Sequence, residues 1–180
     1  ILFLIFLHYI FGAFAQTNLP KAFKKSYQYV PSGNVIMDGD TISVQGFYMY
    51  FQEVTNFDYQ EFLAWVERNG TEEMKQITAV NSKNWVSELS RFQSDAFAEK
   101  YHTHSAFRNY PVVNISQDAA ALYCQWLEDI FKKSYDLNVK VRLPTHAEFI
   151  RAGQGDSLDA VYSWNGPYLR NSKGEFLANF

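Results

Sequence analysis

The chain has 180 residues, 47% hydrophobic, 18% aromatic and 19% charged, which is the makeup of one folded domain and excludes a disordered tail or a fibre. A formal charge of -3 and an isoelectric point near 5.8, with no basic stripe interleaved with aromatics, exclude the electrostatic footprint of a chain that grips a phosphate backbone. Nucleic acid is not an expected partner.

Residues 1–15, ILFLIFLHYIFGAFA, are uncharged and almost wholly apolar, and they end in Ala13-Phe14-Ala15, the small-x-small pattern of a signal-peptidase site. At about 15 residues the run falls short of the roughly 20 that cross a bilayer, so it predicts an export signal, with an uncleaved anchor as the rival reading. Neither Met nor a basic segment precedes it, so the signal is expected to be incomplete. No Cys follows it at the position a lipid anchor would use. The expected location is periplasm, cell envelope or outside the cell, with membrane contact only through this segment. Residues 16–28 are polar and predict a linker, in which the basic run Lys21 to Lys25 is a solvated stretch.

The domain proper is expected over 29–180. Pro31-Ser32-Gly33 and Asp38-Gly39 are turn signals around Val35, Ile36 and Met37, and Thr41 to Phe51 alternates imperfectly, so short strands joined by turns are predicted. Thr55 caps a helix whose third residue is Asp58 and whose Tyr59, Phe62, Leu63 and Val66 share a face; Asn69-Gly70 ends it. From Thr71 to Asn109 the pattern loosens into what reads as an irregular insertion. Ser116 then caps a second helix with Ala119, Leu122, Tyr123, Trp126 and Ile130 on one side. Val139 to Leu143 predicts a strand, Pro144 stops it, and Thr145-His146-Ala147-Glu148 is a capping box opening a third helix. Residues 153–180 read as ordered loop.

Several strings resemble, in order, the formylglycine-generating-enzyme, or sulfatase-modifying factor, family. VPSGNVIMDG is similar to its opening turn, and Glu53-Val54-Thr55-Asn56 with Tyr59 and Phe62 to its E-V-T-N helix start. Tyr110-Pro111-Val112-Val113 with Ser116, Cys124 and Trp126 resembles its H-P-V-V segment, and Arg142-Leu143-Pro144-Thr145 its R-L-P-T segment. Tyr162 to Gly166 and Ala178-Asn179-Phe180 resemble the motifs that follow. His146, Phe149 and Gln117 depart from the family pattern, which marks a divergent member. The resemblance implies an α+β fold: an irregular, loop-rich variant of the C-type lectin fold, truncated at its C-terminus.

It also implies chemistry. The oxidising members convert a substrate cysteine to formylglycine with O2 and a cysteine pair that holds Cu(I), a pair expected beyond the end of this sequence. Cys124 falls at a different family position and is expected to be structural: buried, paired between chains, or paired with a cysteine not in this sequence. Asn179 and Phe180 stand where a calcium site would begin. Of the remaining candidates, His102 and His104 read as a solvated pair, Asp118 and Glu148 as helix-start charges, and Asn69-Gly70-Thr71 and Asn114-Ile115-Ser116 as sequons that matter only in a eukaryotic secretory pathway. Three functions follow: a non-catalytic envelope module associated with gliding or secretion and bound to envelope proteins, an oxidase acting on sulfatase-type polypeptides, or a lectin-like binder.

Overall fold

The computed structural model describes residues 6–8, 19–82, 99–155, 162–163 and 166–178. In chain order these form β1 (Phe6–His8), α1 (Lys21–Ser26), β2 (Tyr27–Val30), β3 (Gly33–Met37), β4 (Asp40–Val44), β5 (Phe47–Tyr50), α2 (Asn56–Asn69), α3 (Glu72–Thr78), α4 (Gln117–Tyr135), β6 (Lys140–Arg142) and α5 (His146–Gln154). The class is α+β, with short helices and small antiparallel sheets. Two compact units divide the chain: residues 1–28 with 48–143, and residues 29–47 with 144–180.

The first unit is built on α2 and α4. Thr55 opens α2 with a full capping box: its hydroxyl accepts from the Asp58 amide at 3.2 Å while the Asp58 carboxylate accepts from the Thr55 amide at 3.0 Å. Two amide donors that the first helical turn leaves orphaned are thereby satisfied. Tyr59, Phe62 and Val66 then fall on the buried face, as their spacing predicts. Gly70 ends the helix at φ -85, an ordinary backbone angle, so it is not there for left-handed freedom. A Cβ at that position would lie 2.7 Å from the Val66 carbonyl oxygen; the glycine supplies room.

Ser116 opens α4 by accepting from the Ala119 amide at 3.0 Å, and the helix stops at Asp136, whose φ of 51 lets its amide reach the Phe131 and Lys132 carbonyls. Between the two helices Tyr59 stacks on Tyr123 at 5.9 Å, and Phe62 meets Tyr123 edge-on at 5.3 Å. Such pairs add about 1 kcal/mol each to the area they bury. The sheet runs β2-β5-β1-β6, and in its middle Leu7 stands opposite Tyr48 on one side and Val141 on the other, both antiparallel.

In the second unit β3 and β4 form a hairpin with Asp38 and Gly39 as a two-residue turn at φ 53 and 88. Positive φ at both places is the type I′ geometry whose twist suits paired strands. Helix α5 lies against this hairpin, opened by the predicted Thr145–Glu148 capping box. Its Arg151 is buried and donates to the carbonyls of Pro31 (3.2 Å), Ser32 (3.4 Å) and Gly155. Gly33 is the counterpart, since a Cβ there would stand 2.6 Å from the guanidinium carbon.

Two expectations need correcting. Part of the expected linker is α1 and the start of β2, with Leu19, Phe23 and Tyr27 in the core and the Phe23 and Tyr27 rings stacked at 4.6 Å. The i, i+4 spacing of those rings, set among lysines, is the physical reason. Part of the expected loose insertion is α3, capped by Thr71 on the Met74 amide with Glu72 and Glu73 in the first turn. Residues 83–98 of that insertion lie outside the described residues, as do most of the expected signal segment and Trp164-Asn165.

Thr55→Ala should lower the unfolding free energy by about 1 kcal/mol, the typical worth of an N-cap, measured as a lower urea midpoint at unchanged slope. An unchanged midpoint would mean that the box is ornamental and that tertiary contacts alone place the helix.

Candidate functional site

The approach to α2, Glu53-Val54-Thr55-Asn56, runs beside the segment 101–112. Val112 donates its amide to the Val54 carbonyl at 2.8 Å, and the Asn56 amide donates to the Tyr110 carbonyl at 2.9 Å, so two short lengths of extended chain are tied together. Asn56 is 2% exposed, and its side-chain amide donates to the carbonyls of Tyr101 and Phe107, both at 3.0 Å. One side chain thus holds the whole turn from 101 to 107.

Those two donations fix which end of the Asn56 amide is oxygen, because both carbonyl partners can only accept. Its Oδ1 lies 3.1 Å from His102 Nδ1, so that nitrogen must carry the proton. His102 is therefore the Nδ1–H tautomer, and its Nε2 is a lone-pair acceptor. That atom is buried without a hydrogen-bond partner among the described residues, and His102 is one of the residues that line a 200 Å³ cavity with Tyr59, Leu63, Val80 and Val112. Burial pushes the imidazole pKa below its ordinary value, because the charged form cannot be hydrated there. Among the described residues that line this cavity, no second His and no Cys, Asp or Glu stands beside His102.

Glu53 has a related peculiarity. Its Oε1 is buried and unpartnered among the described residues, and burial raises its carboxyl pKa. The Tyr101 phenol is raised as well, first by its own burial and then by the Glu53 charge, while its hydroxyl donates to the Pro111 carbonyl at 2.8 Å. Poorly solvated groups at the start of α2 are what sequence motifs alone did not reveal; the family-like E-V-T-N string was the signal that could have found them.

The other candidates separate. His104 is exposed and caps a 3-10 turn by accepting from the Ala106 amide at 3.1 Å, while His102 is half-buried, so the expected solvated pair is corrected to one capping ring and one interior ring. Asp118 stands in the first turn of α4 and Glu148 is consumed by its capping box. Both sequons carry local structure: Thr71 and Ser116 are helix caps, and the Asn69 side chain donates to the Trp65 carbonyl at 2.9 Å. Cys124 is 2% exposed in the core, and burial, helped by the Glu128 charge, pushes its thiol up to about 12. A thiol so placed is protonated at any physiological pH and is a poor nucleophile and a poor copper ligand. Asn179 and Phe180 lie outside the described residues, and among those described no three His, Cys, Asp or Glu side chains converge. No described helix is long and apolar enough to cross a membrane.

Residues 16–180 match the family of sulfatase-modifying factor enzyme 1-like domains, and the chain belongs to that family. The matched span begins at residue 16, so it takes in α1 and β2 as well as the motifs further on. Neither curated proteins nor solved structures yield a match to the chain.

Two pH effects follow. His102 is held neutral, with a folded pKa below its unfolded 6.5; its stabilising contribution is present above that value and is lost as pH falls below it. His102→Gln, which keeps a donor for Asn56, should flatten the loss of stability between about pH 6.5 and 5 in urea titrations. Cys124 is the opposite case: its contribution is whole below 9.0 and is lost as pH rises toward 12. In the native protein at pH 8 it should resist a thiol reagent that modifies it at once in denaturant.

Proposed function

We propose that this chain is an exported sulfatase-modifying-factor-like module of the cell envelope, of the non-catalytic kind associated with gliding or secretion, whose task is to hold a partner and not to oxidise a cysteine. The family membership supplies the class; the departures from the family pattern at Gln117, His146 and Phe149 carry the choice within it. The paired thiolates that hold copper(I) in the oxidising members are expected beyond this sequence, and Cys124, buried and protonated, does not fit that metal itself. What the described side chains do offer is a well-packed scaffold with long irregular stretches outside its helices and strands, the kind of surface on which binding sites are placed.

The C-type-lectin-like variant of the α+β class belongs to the same proposal. It is supported by the mixture of capped helices and short antiparallel strands separated by ordered irregular chain, and calcium at Asn179 and the carbonyl of Phe180 remains part of it. Export is supported by the composition of residues 1–15 and by Ala13-Phe14-Ala15. Residues 6–8 also pair between β5 and β6, so cleavage after Ala15 would remove β1 and leave those two strands without their shared neighbour.

The test takes the complete protein from envelope fractions, determines its N-terminus, and incubates it with Cu(I), O2 and a cysteine-containing sulfatase peptide. A chain that starts at Gln16 and leaves the peptide unchanged is the expected result. Conversion of the peptide cysteine to formylglycine would establish the oxidase, and a chain in the envelope that still carries residues 1–15 would remove the signal from the proposal while leaving the module.

A further inference from the structure

The first unit holds a second cavity, of 390 Å³, between the α1–β2 segment, α2 and α4. Volumes of this size are those of small-molecule sites. Its walls are mostly rings, with Tyr27, Tyr50, Tyr123 and Trp126 among them, and the charges that line it are the carboxylates of Asp58 and Glu61. No Lys or Arg is among the lining residues to neutralise them. Aromatic faces carry the negative end of the ring quadrupole, so rings and carboxylates here present the same sign to whatever enters.

That negative field is felt by the phenols. Tyr27, Tyr50 and Tyr123 all have raised pKa values, each first through burial and each also through the Asp58 charge. Asp58 is held in place by its capping box, its Oδ2 accepting from the Thr55 amide at 3.0 Å and the Thr55 hydroxyl at 2.7 Å, so the charge is fixed before any ligand arrives. Glu61 is exposed one helical turn further on.

The Trp126 ring lines the same cavity. A ligand carboxylate would meet Asp58 and Glu61 and be repelled, whereas a cation would be attracted.

We propose that this cavity binds an alkylammonium group, the cation set against the Tyr27, Tyr50 and Tyr123 rings and the two carboxylates. The ammonium belongs either to a free amino alcohol of the choline type or to a methylated lysine of a peptide. The site is separate from the Asn56–His102 cavity and does not depend on whether the module is catalytic.

The probe is choline, followed by the NMR shift of the Trp126 indole N–H, assigned by its loss in Trp126→Phe. Choline should shift that resonance saturably, and its uncharged isostere 3,3-dimethylbutan-1-ol should bind about ten-fold more weakly, as expected when a cation–π contribution is deleted. Glu61→Gln, an exposed change that leaves the fold intact, should weaken choline about three-fold and leave the isostere unaffected. Tighter binding of a trimethyllysine peptide than of choline assigns the ammonium to a polypeptide, and the reverse assigns it to a free amine. Equal affinity for choline and its isostere, or no response to choline and to the peptide, overturns the proposal.

Discussion

Everything in the first unit hangs on the contact of α2 with α4. Tyr59, Phe62 and Val66 from one helix and Ala120, Tyr123 and Cys124 from the other close on each other, with Tyr123 touching both Tyr59 and Phe62 ring to ring. Both helices are stabilised first by local means, Thr55 with Asp58 and Ser116 at their N-termini, so the ring contact joins elements whose starts are already defined. From that contact the rest is placed. Asn56 at the head of α2 fixes the 101–107 turn, and Glu128 of α4 accepts from the Val141 amide at 2.8 Å and pairs with Lys140 at 2.9 Å, setting the edge strand β6 beside its helix.

The same contact explains why Cys124 cannot act as a chemist. It sits one position along from Tyr123 in the core, and the burial that makes it useful packing is what keeps its proton on. The groups with unusual solvation lie at the margins of that core. Glu53 and His102 flank the start of α2, and Trp126 of α4 is among the residues that line the other cavity.

What the sequence disclosed and what it hid divide by range. Helix starts at Thr55, Ser116 and Thr145 were legible because a cap is decided by residues three apart, and the Asp38-Gly39 hairpin turn because two positive φ values restrict the residue types so strongly. Helix α1 escaped because Pro20 opens it without a side-chain cap and it runs for six residues only, too short for a periodic signal. Asn56, Glu53 and His102 escaped for another reason: the Asn56 bonds to Tyr101 and Phe107 cross 45 and 51 positions, and nothing local marks an asparagine as the owner of a distant turn. Burial of a carboxylate or an imidazole is likewise a property of the folded neighbourhood.

Arg151 carries one more consequence, for the order in which the chain assembles. Its guanidinium ends the second unit by clasping carbonyls from residues 119 and 120 positions earlier, at Ser32 and Pro31, in the space that Gly33 leaves open. The β3–β4 hairpin is made well before the helix that covers it, with α2, α3 and α4 lying between them in the sequence. Closing so long a loop costs entropy before any contact repays it, and hairpins alone are marginal in water. During synthesis the hairpin therefore waits with its Val35 and Val44 uncovered until α5 is made, whereas α2 and α4 are both complete before that helix begins.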